Sequence, residues 1–78
     1  MRAVVQRVSR AAVRVDDAVI GSIERGFLVL LGAEAGDTDA DLEYLVEKVV
    51  GLRVFADAEG KMNLALADVA GGVLVVSQ

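Results

Sequence analysis

Gly26-Phe27-Leu28-Val29-Leu30-Leu31-Gly32 sets five apolar side chains in a row between two glycines. A half-solvated strand would alternate apolar with polar, so an unbroken run of this length predicts a central strand covered on both faces. The rest of the chain then reads as what surrounds that strand. Upstream, Ala3-Val4-Val5-Gln6-Arg7-Val8 and Ala11-Ala12-Val13-Arg14-Val15 are rich in β-branched residues, and Arg14 between Val13 and Val15 marks a half-solvated strand. Asp16-Asp17 is a turn signal before Ala18-Val19-Ile20-Gly21-Ser22-Ile23, and Glu24-Arg25-Gly26 turns again into the central run.

Downstream the period changes. Leu42, Leu45, Val46, Val49 and Val50 form a stripe at helical spacing. Thr38 with Asp41 has the spacing of a capping box, and Asp37, Asp39 and Asp41 suit the positive end of a helix. Gly51 favours termination, so a helix is expected over about 38–51. Leu52-Arg53-Val54-Phe55 reads as a strand, Ala56 to Lys61 as a polar loop, and Asn63 to Val69 fits either state. Val73-Leu74-Val75-Val76-Ser77-Gln78 reads as a strand that wants cover on both faces. Two readings of it stand open: a strand docked in the middle of a sheet, or the tip of an N-terminal piece of something longer. The expected class is α+β, a mainly antiparallel or mixed β-sheet with one helix, in a single domain over 1–78.

Composition narrows the chemistry. The 78 residues include no His, Cys or Pro. The usual Cys/His zinc sites and every His-based catalytic constellation are thereby excluded. A chain this short buries only roughly 60% of the surface its unfolded form exposes, and with a mean hydropathy of +0.54 it calls for a partner or further chain to cover it. A net charge of −4 gives no global attraction to nucleic acid. Yet four of the eight cations, Arg2, Arg7, Arg10 and Arg14, precede the first acid, which leaves a local basic face as a phosphate contact or a merely solvated surface. No signal-peptide core and no stretch near the ~20 apolar residues of a membrane span occurs, so a cytoplasmic protein without a membrane partner is expected.

Three motif fragments fail on inspection. Asp37, Asp39 and Asp41 open like a calcium loop, but Leu42 and Lys48 stand where Gly and Glu are required. Gly60-Lys61 ends like a phosphate-binding loop, but Phe55 and Met62 replace the Gly and the hydroxyl residue. Asp16 and Asp17, adjacent in a turn, point apart and make a poor acid/base pair. No metal and no cofactor is expected. Among the hydroxyls, Ser9, Ser22, Thr38, Ser77 and Tyr44, none has a histidine to activate it. Hydrolysis here would need backbone N–H groups as an oxyanion hole, and Ser77-Gln78 at a strand end is a place for them. Arg7, flanked by valines, reads as a cation held in a defined place.

Six segments taken in order resemble the N-terminal half of the D-aminoacyl-tRNA deacylases: Met1 to Val8, Gly26 to Gly32, Gly36-Asp37-Thr38, Leu52 to Phe55, Gly60-Lys61-Met62-Asn63-Leu64, and Val73 to Gln78. The resemblance implies a barrel-like fold in the intact family. It also implies a cytoplasmic homodimer that hydrolyses the ester of tRNA mischarged with a D-amino acid, or with glycine, for chiral proofreading. Ser77 and Gln78 match the first two positions of the family's Ser-Gln-x-Thr-type catalytic motif. Arg7 matches the arginine that supports a Gly-cisPro chiral filter presented across the dimer. The sequence leaves that motif after Gln78 and has no Pro for the filter, so it reads as the N-terminal part of a larger deacylase domain, inactive alone. The other readings are an RNA-binding module without chemistry and an assembly piece whose strand pairs with a second chain.

Overall fold

The computed structural model describes residues 1–78. Four strands open the chain: β1 (Arg2–Val8), β2 (Ala11–Val15), β3 (Ala18–Ile23) and β4 (Gly26–Gly32). Helix α1 (Asp39–Val50) follows, then β5 (Phe55–Ala56), β6 (Met62–Leu64), a 3₁₀ turn (Leu66–Val69) and β7 (Gly72–Ser77). The class is α+β, as expected, and the strands form three open sheets: β1-β4-β7, β2-β3 and β5-β6.

The continuous apolar run is the middle strand of its sheet. β1 lies antiparallel on one side of β4, with Val5 opposite Val29 and Arg7 opposite Phe27. β7 lies parallel on the other side, with Val73 opposite Phe27 and Ser77 opposite Leu31. A parallel neighbour requires a crossover, and residues 33–71 supply it, with α1 laid on the face that holds Ala3, Val5 and Val29. β7 is therefore an edge strand, and the mid-sheet position considered for it belongs to β4. Gly26 and Gly72 sit so close that a Cβ on Gly26 would meet the Gly72 carbonyl oxygen at 1.9 Å, so only glycine allows the two strands to start side by side.

Local signals behaved as their chemistry demands. Asp16 and Asp17 both take positive φ, 50° and 67°, as the two-residue turn between antiparallel strands requires. Thr38 caps α1: its backbone N–H donates to Asp41 Oδ2 at 2.8 Å, and its hydroxyl accepts from the Asp41 N–H at 3.4 Å. Gly51 closes the helix, one residue either side of which lies the expected span. The strand expected over Leu52–Phe55 is a correction, since only Phe55 and Ala56 pair. Leu52 still donates to the Val49 carbonyl at 3.3 Å, and the Val54 carbonyl accepts the Arg7 guanidinium instead of a strand N–H. The ambiguous stretch divides into β6 and the 3₁₀ turn, whose start is held by the Ala65 N–H donating to Asp68 Oδ2 at 2.8 Å.

The core is small. Phe27, Val29, Val49, Phe55 and Leu66 form one buried cluster, with the Phe27 and Phe55 rings 5.1 Å apart and tilted by 36°. Such an aromatic pair adds about 0.5–1.5 kcal/mol beyond its buried area. The molecule measures 43 × 35 × 15 Å, and its radius of gyration of 13.8 Å exceeds the roughly 11.5 Å of a compact domain this long. The excess is flatness: apolar side chains on α1 and β7 face solvent, among them Val46 at 51% and Val75 at 54% exposure.

Candidate functional site

Ser77 and Gln78 stand at the open end of β7, both exposed. The ladder decides what their backbone offers. Gly72 N–H donates to the Arg25 carbonyl at 3.0 Å and Gln78 N–H to the Leu31 carbonyl at 2.9 Å, so even-numbered residues of β7 face β4. Successive residues of a strand alternate in direction, so Val73, Val75 and Ser77 turn their N–H and C=O toward the free edge. Of the two backbone donors considered for an oxyanion hole, the Gln78 N–H is already used within the sheet. The Ser77 N–H is the available one.

Arg7 lies on the same sheet face as Ser77 but opposite Phe27, four positions along β4 from Leu31. That is about 13 Å along the strand direction. Within one chain the two residues are not brought together. Arg7 is nevertheless held, by contacts far along the chain: Nη1 donates to the Val54 carbonyl and lies 3.3 Å from Met62 Sδ. Arg10 and Arg14 are exposed, and Arg10 stands in the turn after β1 rather than in a strand.

Beside Arg7 opens a cleft of about 360 Å³, lined by Arg7, Val8, Ser9, Arg25, Phe55 and Ala56. The Arg25 guanidinium lies over the Phe55 ring, 5.5 Å from its centre. The sequence did not single out Arg25, and no local signal could have done so, because Phe55 reaches it only through the fold. A second cavity, of about 240 Å³, is wholly apolar and runs between α1 and the β4-β7 edge, with Leu31, Leu45 and Val75 among its walls.

The acids before α1 are committed to structure. Asp37 Oδ1 accepts from the Met1 ammonium at 2.7 Å and Oδ2 from the Glu34 N–H at 2.6 Å. Those two bonds, the Glu34 N–H first, hold the Asp37 carboxyl below its ordinary range, and the bond to Asp37 raises the Met1 ammonium against an opposing loss of solvation. Asp41 completes the cap with Thr38. No helix is long and apolar enough to cross a membrane.

Comparison with known proteins follows the same outline. The chain is 60% identical over its 78 residues to the D-aminoacyl-tRNA deacylase of Geobacter metallireducens, covering 100% of this chain and 52% of that protein. Against the D-aminoacyl-tRNA deacylase of Anaeromyxobacter dehalogenans the figures are 63%, 100% and 52%. A solved structure titled c-Myc DNA Unwinding Element Binding Protein superposes with a TM-score of 0.94 at 47% identity, covering 100% of this chain and 53% of that one. The chain thus spans about half the length of the relatives it matches. The profile described as D-Tyr-tRNA(Tyr) deacylase matches residues 4–78, and by that match the chain belongs to the D-Tyr-tRNA(Tyr) deacylase family.

Proposed function

We propose that this chain supplies the N-terminal half of a D-aminoacyl-tRNA deacylase, an ester hydrolase that frees tRNA from a D-amino acid, or from glycine, in chiral proofreading. The observation that supports this best is identity of 55–63% over the whole chain to proteins of that name, with Ser77 and Gln78 of the family motif at an exposed strand end. Water attacks the ester carbonyl carbon and the ribose oxygen leaves. The chain offers no side-chain base of the histidine kind, so the rate rests on substrate positioning, on backbone donors facing the developing oxyanion, and on the neighbouring ribose 2′-hydroxyl. Ser77 and Gln78 act at the ester. Arg7 is a positioning residue that steadies the chiral filter.

The separation of Arg7 from Ser77 supports a site shared between two protomers. A filter touching both residues of one chain would have to span about 13 Å along the strands, whereas one presented by a dimer partner need not. A homodimer acting in the cytoplasm on the aminoacylated 3′ end of tRNA is the assembly we propose.

The test is a deacylation assay on D-Tyr-tRNA and L-Tyr-tRNA, in EDTA, with the dimeric protein that carries this half. Release of D-tyrosine with the L-ester spared is the expected result. Loss of turnover in EDTA with recovery in Zn²⁺ contradicts the metal-free mechanism. A second reading, nucleic-acid binding without chemistry, is supported by the name of the superposing structure and by the arginines of β1 and β2. Tight tRNA binding with both esters intact favours it.

A further inference from the structure

The wholly apolar groove between α1 and the β4-β7 edge takes no part in the chemistry proposed above. Helix α1 presents two rows of side chains there. Leu45 and Val49 turn inward onto the core, whereas Leu42, Val46 and Val50, spaced four residues apart on one face, stay exposed. Val73 and Val75, which face them from β7, are exposed as well, and every residue lining the groove is hydrophobic. The backbone is unpartnered on the same side. β7 pairs only with β4, and Val73 and Val75 turn their N–H and C=O to the free edge. Apolar side chains and a bare row of backbone polar groups thus lie side by side. A further strand satisfies both, hydrogen-bonded to the edge and apolar on the face beneath α1. A helix or a lipid chain covers the apolar walls but leaves the edge N–H groups unpaired.

We infer that this groove and the β7 edge form the docking surface for a strand from the other half of the same polypeptide, the existence of that half resting on the deacylase reading. The chain spans about half the length of the relatives it matches, and Gln78, where their remaining length continues, directly follows β7. A segment tethered there begins beside the groove. Its docking costs only the closure of a loop, a term that grows slowly with loop length, whereas a separate partner loses its whole translational freedom. The strand also has a limit. Ser77 turns its N–H to the same edge, and the deacylase reading keeps that donor for the ester, so pairing is confined to Val73 and Val75. A second copy laying its own β7 full length along this edge takes the Ser77 donor as well, which favours the tethered half as the occupant.

The experiment is NMR on the whole deacylase polypeptide that carries this chain, with isotope-labelled Val and Leu methyl groups. The expected result is a set of nuclear Overhauser contacts from the Val46 and Val75 methyls to residues numbered above 78. The Val73 and Val75 amides should exchange at least about 100-fold more slowly than unprotected ones. Isotope-filtered spectra of a mixed labelled and unlabelled sample separate contacts within one polypeptide from contacts between two. Contacts seen only between polypeptides overturn the inference in favour of a second copy. Contacts only to other residues of 1–78, or none together with fast exchange at Val73 and Val75, overturn the docking surface itself. A Ser77 amide as protected as that of Val75 overturns the limit on the pairing. None of these readouts involves turnover, so the expected contacts in a polypeptide that leaves D-Tyr-tRNA intact would remove the deacylase reading and keep the docking surface.

Discussion

The two ends of β4 share a strand, a sheet face and a composition, yet one is closed and the other open. At the first end Phe27 is 1% exposed, because Phe55 and Leu66 from the crossover fold back onto it and Arg7 is anchored on Val54. Four residues on, Leu31 looks into a groove whose floor reaches the buried Val29 and Val49 but whose outer walls include Leu42, Val46 and Val75, which are 39%, 51% and 54% exposed. The first end receives side chains from both β1 and the β5–β6 region as well as from β4. The second has α1, the edge strand β7 and only the small Ala3 side chain of β1 to draw on. Hydrophobicity sets what can be buried, and the number of converging segments sets what is.

That contrast is most directly broken by truncating each end in turn. Phe27→Ala should cost about 3–5 kcal/mol in urea unfolding, enough to unfold so small a core, whereas Val75→Ala should stay within about 0.5 kcal/mol. Equal losses would mean that the groove is closed in solution. Next in size is function at the anchored end. In the proposed dimeric deacylase, Arg7→Ala should narrow the preference for D- over L-aminoacyl-tRNA by about tenfold, equivalent to ~1.4 kcal/mol in the barrier, and Arg10→Ala should leave it unchanged. Kinetics on both enantiomers decide this, and damage from Arg10→Ala alone reverses the assignment of Arg7.

The open end makes a prediction about association. The isolated chain should sediment as more than a monomer and lack deacylase activity, because the β7 edge and the apolar groove form a template for pairing. Val75→Lys should move it toward the monomer by placing a charge on that edge. Unchanged sedimentation would put the contact elsewhere on the molecule.

A smaller effect concerns the clasp between Met1 and Asp37. The ammonium is held above its ordinary 8.0, so its contribution is complete below that pH and is lost as pH climbs through the raised value. Asp37 is held below its ordinary 3.8, so its contribution is complete above that pH and fades as pH falls through the lowered value. Urea midpoints against pH should therefore show a plateau with two shallow limbs. N-terminal acetylation should remove the alkaline limb, and Asp37→Asn both. The smallest expected change is at Ala70, which holds φ at 51° after the 3₁₀ turn. Ala70→Gly should stabilise by about 0.5 kcal/mol, the relief of left-handed strain exceeding the added freedom of the unfolded chain.

Much of this was legible in residue order, and the reasons are local. The unbroken run from Phe27 to Leu31 predicts a central strand because only a strand buried on both faces tolerates such a pattern. Thr38 and Asp41 set the helix start because a cap is made between residues three apart. Asp16-Asp17 dictates a tight turn for the same kind of reason. Leu52 to Val54 misled, because β-branched and apolar residues state a preference for strands but cannot supply a partner, and here Arg7 takes the carbonyl that a neighbour would need.

Ser77, Gln78 and Arg7 could be named from the order of the motifs, but neither their separation along β4 nor the direction of the Ser77 N–H could be. Both depend on β7 pairing parallel with β4, and that register is set by residues 33–71 crossing the sheet rather than by either strand. The Arg7–Arg25 cleft lies further still from the sequence. It exists because Phe55 packs on Phe27 across 28 positions and also meets the Arg25 guanidinium. A strand, a turn or a cap follows from neighbours whose interactions are fixed by covalent spacing. A site built of distant residues follows from burial, which acts on the whole chain at once and has no counterpart in sequence order.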